Sequence, residues 1–264
     1  MTLIAIILGT LTAGIGSVWL AAALSFGVLA RYTQHMLSLA AGALLATAFM
    51  HLLPEAFESQ ASPHELFAAL LVGLVFFFLL DKAELWHHGH EHGGHSYGDH
   101  SHGHNDHGHS HESKSGSWAV LAGDSVHCFG DGILIASAFM ADMRLGIVAS
   151  LAVLAHEVPH HMGDLVVLRQ SSNNNQRAAI VKVSLAGAVT ALGGVLGYLL
   201  VEQLYDFLPF FLVLASSSFI YVALADLIPQ LQKRVSPRET AAQIAWLLAG
   251  IALVTLISGI AHAH

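Results

Sequence analysis

His127-Cys128-Phe129-Gly130-Asp131-Gly132 and His156-Glu157-Val158-Pro159-His160-His161-Met162-Gly163-Asp164 interrupt two stretches that are otherwise apolar enough to cross a bilayer. Ionisable side chains at membrane depth are costly, so they face a bundle interior or a water-filled path and serve a function there. Imidazole and carboxylate are also the donors that a borderline-soft divalent ion such as zinc prefers. On a helix, His127 and Asp131 share one face, as do His156, His160 and Asp164, with Glu157 and His161 on an adjoining stripe. Pro159 removes a backbone donor and frees the Ala155 carbonyl. Gly130, Gly132 and Gly163 leave room for close helix approach. A polar network that only tied helices together would not need this many ligand-type groups on two helices. Metal chemistry inside a membrane is the reading that uses them all.

Composition agrees with the setting. Of 264 residues, 55% are hydrophobic and 11% charged, with a mean hydropathy of +0.62; soluble domains carry about 25% charged residues. The net charge of −8 gives no support to nucleic-acid binding. One cysteine, Cys128, excludes an intramolecular disulfide. Runs long enough for about 30 Å of hydrocarbon predict eight spans, near 3–30, 36–57, 65–86, 118–140, 144–169, 179–201, 207–230 and 242–262. The chain thus reads as a single all-α transmembrane domain over 1–264. No Lys or Arg precedes the first apolar run, which is therefore expected to be a retained helix and not a cleaved signal.

With eight spans the connections alternate sides. One side collects Arg31, Lys82, Lys114, Arg169, Arg177, Lys182, Lys233, Arg234 and Arg238; the other holds only Arg144. The positive-inside rule then puts both termini outside and residues 87–117 in the cytoplasm. Eleven histidines lie between His87 and His111, mixed with Gly, Ser, Asp and Glu. Such a tract cannot bury a core and is expected to be disordered. Its imidazoles suit metal binding or sensing, but nothing holds them in the geometry of a transport site.

Weaker signals lie elsewhere. His51 and Glu55 are i,i+4 around Pro54, near the outer end of the second span, where they either line an entrance or cap a helix. Asp124 is placed to orient a ligand one turn from His127.

These motifs resemble those of the ZIP (Zrt-, Irt-like) family of divalent metal transporters, in its H-E-x-P-H branch. The likeness rests on His-Leu-Leu-Pro-Glu at 51–55, His-x-Phe-x-Asp-Gly at 127–132, His-Glu-Val-Pro-His at 156–160, and a His-rich loop between the third and fourth spans. The resemblance implies an eight-helix bundle in which His127, His156 and His160 bind the transported ion. Asp131 and Glu157 would then form an adjacent second site bridged by His160. This chain departs from the family in having Cys128 where Asn is common, His161 where Glu is common, and no acid in 180–200. The ligands of a second site are left open; Cys128 points towards that side, and His161 and Asp164 are further metal-ligating candidates on the fifth helix. Cys128 is either a thiolate ligand or a small apolar residue packed between helices.

Rival readings exist. His156-Glu-Val-Pro-His160 also fits the H-E-x-x-H signature of zinc proteases, but that leaves the fourth-span motif and the histidine tract without a role. A cation-diffusion exporter shares the His-rich loop, yet its six helices and cytoplasmic termini contradict the charge asymmetry. The resulting expectation is an inner-membrane permease, not an enzyme, importing Zn²⁺. Cd²⁺ is the competing ion, Fe²⁺ and Mn²⁺ are weaker substrates, and no organic cofactor is needed. The resemblance alone implies a homodimer.

Overall fold

Residues 1–25, 33–89, 112–172, 175–231 and 236–262 are described by the structure, a computed structural model. Among them the chain forms eight helical rods and no strands. A backbone in hydrocarbon has no water to bond, so a helix that satisfies its own polar groups is the form these apolar runs must take. Rod α1 joins Thr2–Leu11, a π-helical turn Thr12–Gly16 and Ser17–Ser25. Rod α2 joins Thr33–Thr47, a π turn Ala48–Leu52 and Leu53–Phe57. Then follow α3 (Pro63–Gly89), α4 (Glu112–Ala141), α5 (Met143–Ser171) and α6 (Gln176–Gln203). Rod α7 runs through Leu208–Tyr221, a π turn Val222–Leu227 and Ile228–Leu231, and α8 is Pro237–His262.

Local chemistry sets the ends. Asp142 accepts from the Arg144 and Leu145 amides to start α5, and Asn175 accepts from Ala178 to start α6. The sequence Ser-Pro-x-Glu opens both α3 and α8. Glu65 accepts from the Ser62 amide, and Glu239 from the Ser236 amide, with Pro at the first helical position each time. Two π turns lie just before prolines. Leu53 N–H reaches back to the Ala48 carbonyl ahead of Pro54, and Ile228 N–H reaches the Ala223 carbonyl ahead of Pro229. Each inserts an extra residue where the proline disturbs the hydrogen-bond ladder.

Six rods are long and apolar enough to cross a membrane by length and composition; α4 and α5 are not among them. Those two carry the clustered His, Cys, Asp and Glu donors and pack inside the set, α4 against α5 and α6, α5 also against α1 and α2. Elsewhere α2 packs on α8 and α3 on α7. Glycines make the tightest seams. A Cβ on Gly132 would overlap the Thr190 carbonyl oxygen of α6, and one on Gly193 would overlap the Phe129 carbonyl oxygen of α4. Gly42 and Gly250 do the same between α2 and α8, against the Leu247 and Leu39 carbonyls. Small residues give membrane helices their van der Waals contact, since lipid supplies little hydrophobic drive between them. Phe67, Leu71, Val72, Val75 and Leu79 of α3 are exposed, a pattern that suits an all-α polytopic membrane protein.

Observed ends extend beyond several expected ones. α3 continues to Gly89 and α4 begins at Glu112, so 87–89 and 112–117 are helical. The histidine tract at 90–111 lies outside the described residues, as do 26–30 of the first expected span.

Candidate metal centre

α5 stays helical through Pro159, which is buried. The helix therefore keeps His156, Glu157, His160 and His161 in fixed angular order, and the Ala155 carbonyl has no i+4 amide to bond. Facing them across the α4–α5 contact are Asp124, His127, Cys128 and Asp131. The seam of α4 against α6 holds this face of α4 against α5.

One group joins four donor atoms. Glu157 Oε1 is 3.2 Å from His127 Nε2 and 3.2 Å from His156 Nε2. Asp131 Oδ2 is 3.2 Å from His156 Nε2 and 3.8 Å from His127 Nε2, and the two Nε2 atoms are 3.3 Å apart. A zinc tetrahedron with bonds of about 2.0–2.1 Å has edges of about 3.3 Å. His156 Nδ1 lies 3.3 Å from the Ala152 carbonyl. A carbonyl only accepts, so Nδ1 carries the proton and the Nε2 lone pair faces the other donors. Asp131, His156 and Glu157 are buried, while the His127 side chain is 26% exposed, which leaves the group open on one side. Asp131 Oδ2 and Glu157 Oε1 are buried without a hydrogen-bond partner. Such atoms cost about 1–3 kcal/mol each unless something satisfies them, and a cation between the donors would.

Two further groups adjoin it. Asp124, Cys128, Glu157 and His161 bring one donor atom each to within 4.8 Å of one another, and all four are buried. Asp124, His160 and Asp164 form a third, with His160 Nδ1 3.2 Å from Asp164 Oδ2 and 3.7 Å from Asp124 Oδ1. Glu157 thus belongs to the first two groups and Asp124 to the last two. Ion-pair partners of Asp124, Asp131 and Glu157 among the described residues are histidines, with no Lys or Arg.

The structure brings His127, Asp131, His156 and Glu157 together, whereas the resemblance grouped His160 with His127 and His156. His160 stacks on the His127 ring instead and turns its Nδ1 to Asp164. Cys128 and His161 meet in the second group. His51 lies apart, its Nδ1 3.5 Å from Ser258 Oγ of α8, and Glu55 is exposed; neither joins a donor group among the described residues. Sequence reasoning had Asp124 only as an orienting residue, and it missed Ser17 of α1, whose hydroxyl oxygen lies 3.0 Å from His161 Nδ1. A small polar residue in an apolar run, after Gly14 and Gly16, was the one available signal.

Comparison with known proteins bears on identity. The chain is 27% identical to zinc transporter ZIP13 of Pongo abelii, over 97% of this chain and 79% of that protein. It is 34% identical to zinc transporter ZIP4 of Homo sapiens over 54% of this chain, and 34% identical to zinc transporter SLC39A7 of Mus musculus over 56%. Those two matches span only 21% and 33% of the relatives' own lengths. The H-E-x-P-H helix here therefore belongs to a transporter scaffold and not to a protease. A family model described as ZIP Zinc transporter accounts for residues 1–258, and the chain belongs to that family.

Proposed function

We propose that this protein is a permease that imports Zn²⁺ into the cytoplasm through the donor group of α4 and α5. The observation that carries the reading is the set of separations among His127, Asp131, His156 and Glu157, which fit a tetrahedral zinc ion. Two imidazoles and two carboxylates suit zinc, admit Cd²⁺ as a competitor and favour Fe²⁺ and Mn²⁺ less. The names of the relatives support the same cargo. Zinc is the substrate here, and no organic cofactor is invoked.

The path runs along α5. Zinc enters the four-donor group from its open side at His127 and is handed to His160 and Asp164, further along α5 towards its cytoplasmic end. Side chains exchange ligands one at a time, which keeps each step shallow. The seams between α4 and α6 and between α2 and α8 support two packed units that shift relative to each other to change access. Nine basic residues against one support an inner-membrane orientation with both termini periplasmic and residues 87–117 cytoplasmic. In that reading 1–264 is a single transporter domain, the His-rich loop senses or buffers metal, and the protein works as a homodimer. His51 and Glu55 line the outer approach.

Radiozinc uptake into proteoliposomes tests the proposal. Wild-type protein should accumulate zinc and His156→Ala should not. Equal uptake by both would overturn the site.

A further inference from the structure

The turn between α5 and α6 concentrates charge of one sign. From Leu165 to Val201 the chain carries Arg169, Arg177 and Lys182 and no acidic residue. Ser172 N–H bonds the Arg169 carbonyl, and Asn175 N–H bonds the Ser172 carbonyl at 2.9 Å, so the chain reverses within a few residues. That sets the last turn of α5, with Arg169, beside the first turn of α6, with Arg177. Both of these side chains are exposed. The first turn of α6 adds the positive end of a 28-residue helix dipole.

Lys182 is the unusual member. It lies in the second turn of α6, a rod apolar enough to cross a membrane, beside the exposed side chains of Val181 and Leu185. Side chains on a helix lean towards its N-terminus, and Lys182 follows that lean. Its half-buried side chain runs back along the rod, and Nζ donates to Ser172 Oγ at 3.1 Å. A long apolar stem of this kind carries its charge out of hydrocarbon to the interface. The hydroxyl is a neutral partner and takes one of three ammonium protons. Among the described residues neither Lys182 nor Arg177 forms an ion pair. A neutral side chain would tie the turn equally well; a cation here calls for an anion from outside the chain.

We propose that Lys182, Arg177, Ser172 and the first turn of α6 form a binding site for the phosphate of an anionic phospholipid such as phosphatidylglycerol, with Lys182 as its anchor. Basic pockets between helices at the edge of a bilayer hold anionic headgroups in this way. The phosphate takes the two remaining ammonium protons of Lys182 and the Arg177 guanidinium, and Arg169 adds to the field. Free phosphate offers the same group without acyl chains, so the exposed apolar side chains of Val181 and Leu185 beside the anchor are what favour the lipid. The inference uses neither the donor groups of α4 and α5 nor the direction of transport.

The test loads purified full-length protein in detergent with phosphatidylglycerol or phosphatidylcholine and follows bound lipid by native mass spectrometry, with thermal stability as a second readout. Wild type should hold phosphatidylglycerol through a delipidation that removes phosphatidylcholine, and should melt higher with the anionic lipid. Lys182→Ala should weaken phosphatidylglycerol binding about fivefold, the worth of one basic group at a membrane surface, and Lys182→Arg should keep it. Arg238→Ala, at the start of α8 and outside the site, should leave it unchanged. Equal retention of the two lipids by wild type overturns the site and requires no variant to fold. So does equal weakening by Lys182→Ala and Arg238→Ala, which would mean attraction to basic charge at large. Displacement of phosphatidylglycerol by inorganic phosphate overturns the lipid as the source of the phosphate. No arm reads zinc uptake, so the permease reading stands or falls separately.

Discussion

His127 and His160 stack face to face, their ring centroids 5.5 Å apart and their planes 22° apart, although only His127 contributes to the four-donor group. His160 is 38% exposed and paired with Asp164. In the proposed path an ion leaving His127 would meet a second imidazole beside the first, with its own carboxylate and access to water. His160→Ala is expected to slow zinc uptake at least tenfold while leaving equilibrium zinc binding at the four-donor group within about threefold. Uptake kinetics beside isothermal titration check this, and a large loss of affinity would put His160 among the primary ligands.

His156 sets the balance between nitrogen and oxygen donors. Replacing it by Glu makes the group three carboxylates and one imidazole, which suits harder ions. The His156→Glu variant should lose zinc preference and gain Mn²⁺ or Fe²⁺ uptake in a competition assay. Unmodified protein that already takes up Mn²⁺ and Zn²⁺ equally would contradict the donor argument.

Gly132 sits where a Cβ would meet backbone, not a movable side chain. Gly132→Ala must therefore push α4 away from α6. Overpacking of this kind costs about 1–3 kcal/mol, and it also displaces Asp131 next door. Lower thermal stability and weaker zinc binding together are the expected outcome. Gly130→Ala, where nothing lies within 4 Å of the added carbon, is the control and should change neither.

Deleting residues 88–112 should leave zinc uptake competent while changing its apparent affinity or regulation modestly. A tract rich in Gly and Ser cannot hold ligands within the ±0.2 Å or so that a defined site needs. Complete loss of uptake in a normally expressed deletion would move the loop into the permeation path.

Orientation is checked by reporters. One fused after His264 should appear on the periplasmic side and one inserted at Gly98 on the cytoplasmic side, the orientation that nine basic residues against one predict. Both reporters on the same face would break the eight-helix topology.

Much of this is legible in the amino-acid sequence. Apolar run lengths placed eight helices, and i,i+4 spacing put His127 with Asp131 on one face and His156 with His160 on another, because both depend only on residues close in the chain. Helix ends were less legible. α3 and α4 extend past their apolar cores through polar residues, which continue a helix readily once outside hydrocarbon. The π turns at Ala48–Leu52 and Val222–Leu227 also went unread, since a proline signals a disturbed ladder without stating how the ladder is repaired.

By itself the sequence determined an all-α membrane chain of the ZIP family with its ionisable residues concentrated on the fourth and fifth helices. Only the tertiary structure decided which donors meet. His160 and Glu157 are both on α5, and their spacing fits either of two arrangements; the rotation of α5 against α4 gives Glu157 to the first group and His160 to the third. The same holds for Ser17, which is 144 residues from His161 along the chain and 3.0 Å from it in space. Helical periodicity orders residues around one axis, but the phase between two axes is set by side-chain and backbone contact, here by Gly132 and Gly193 seating α4 on α6.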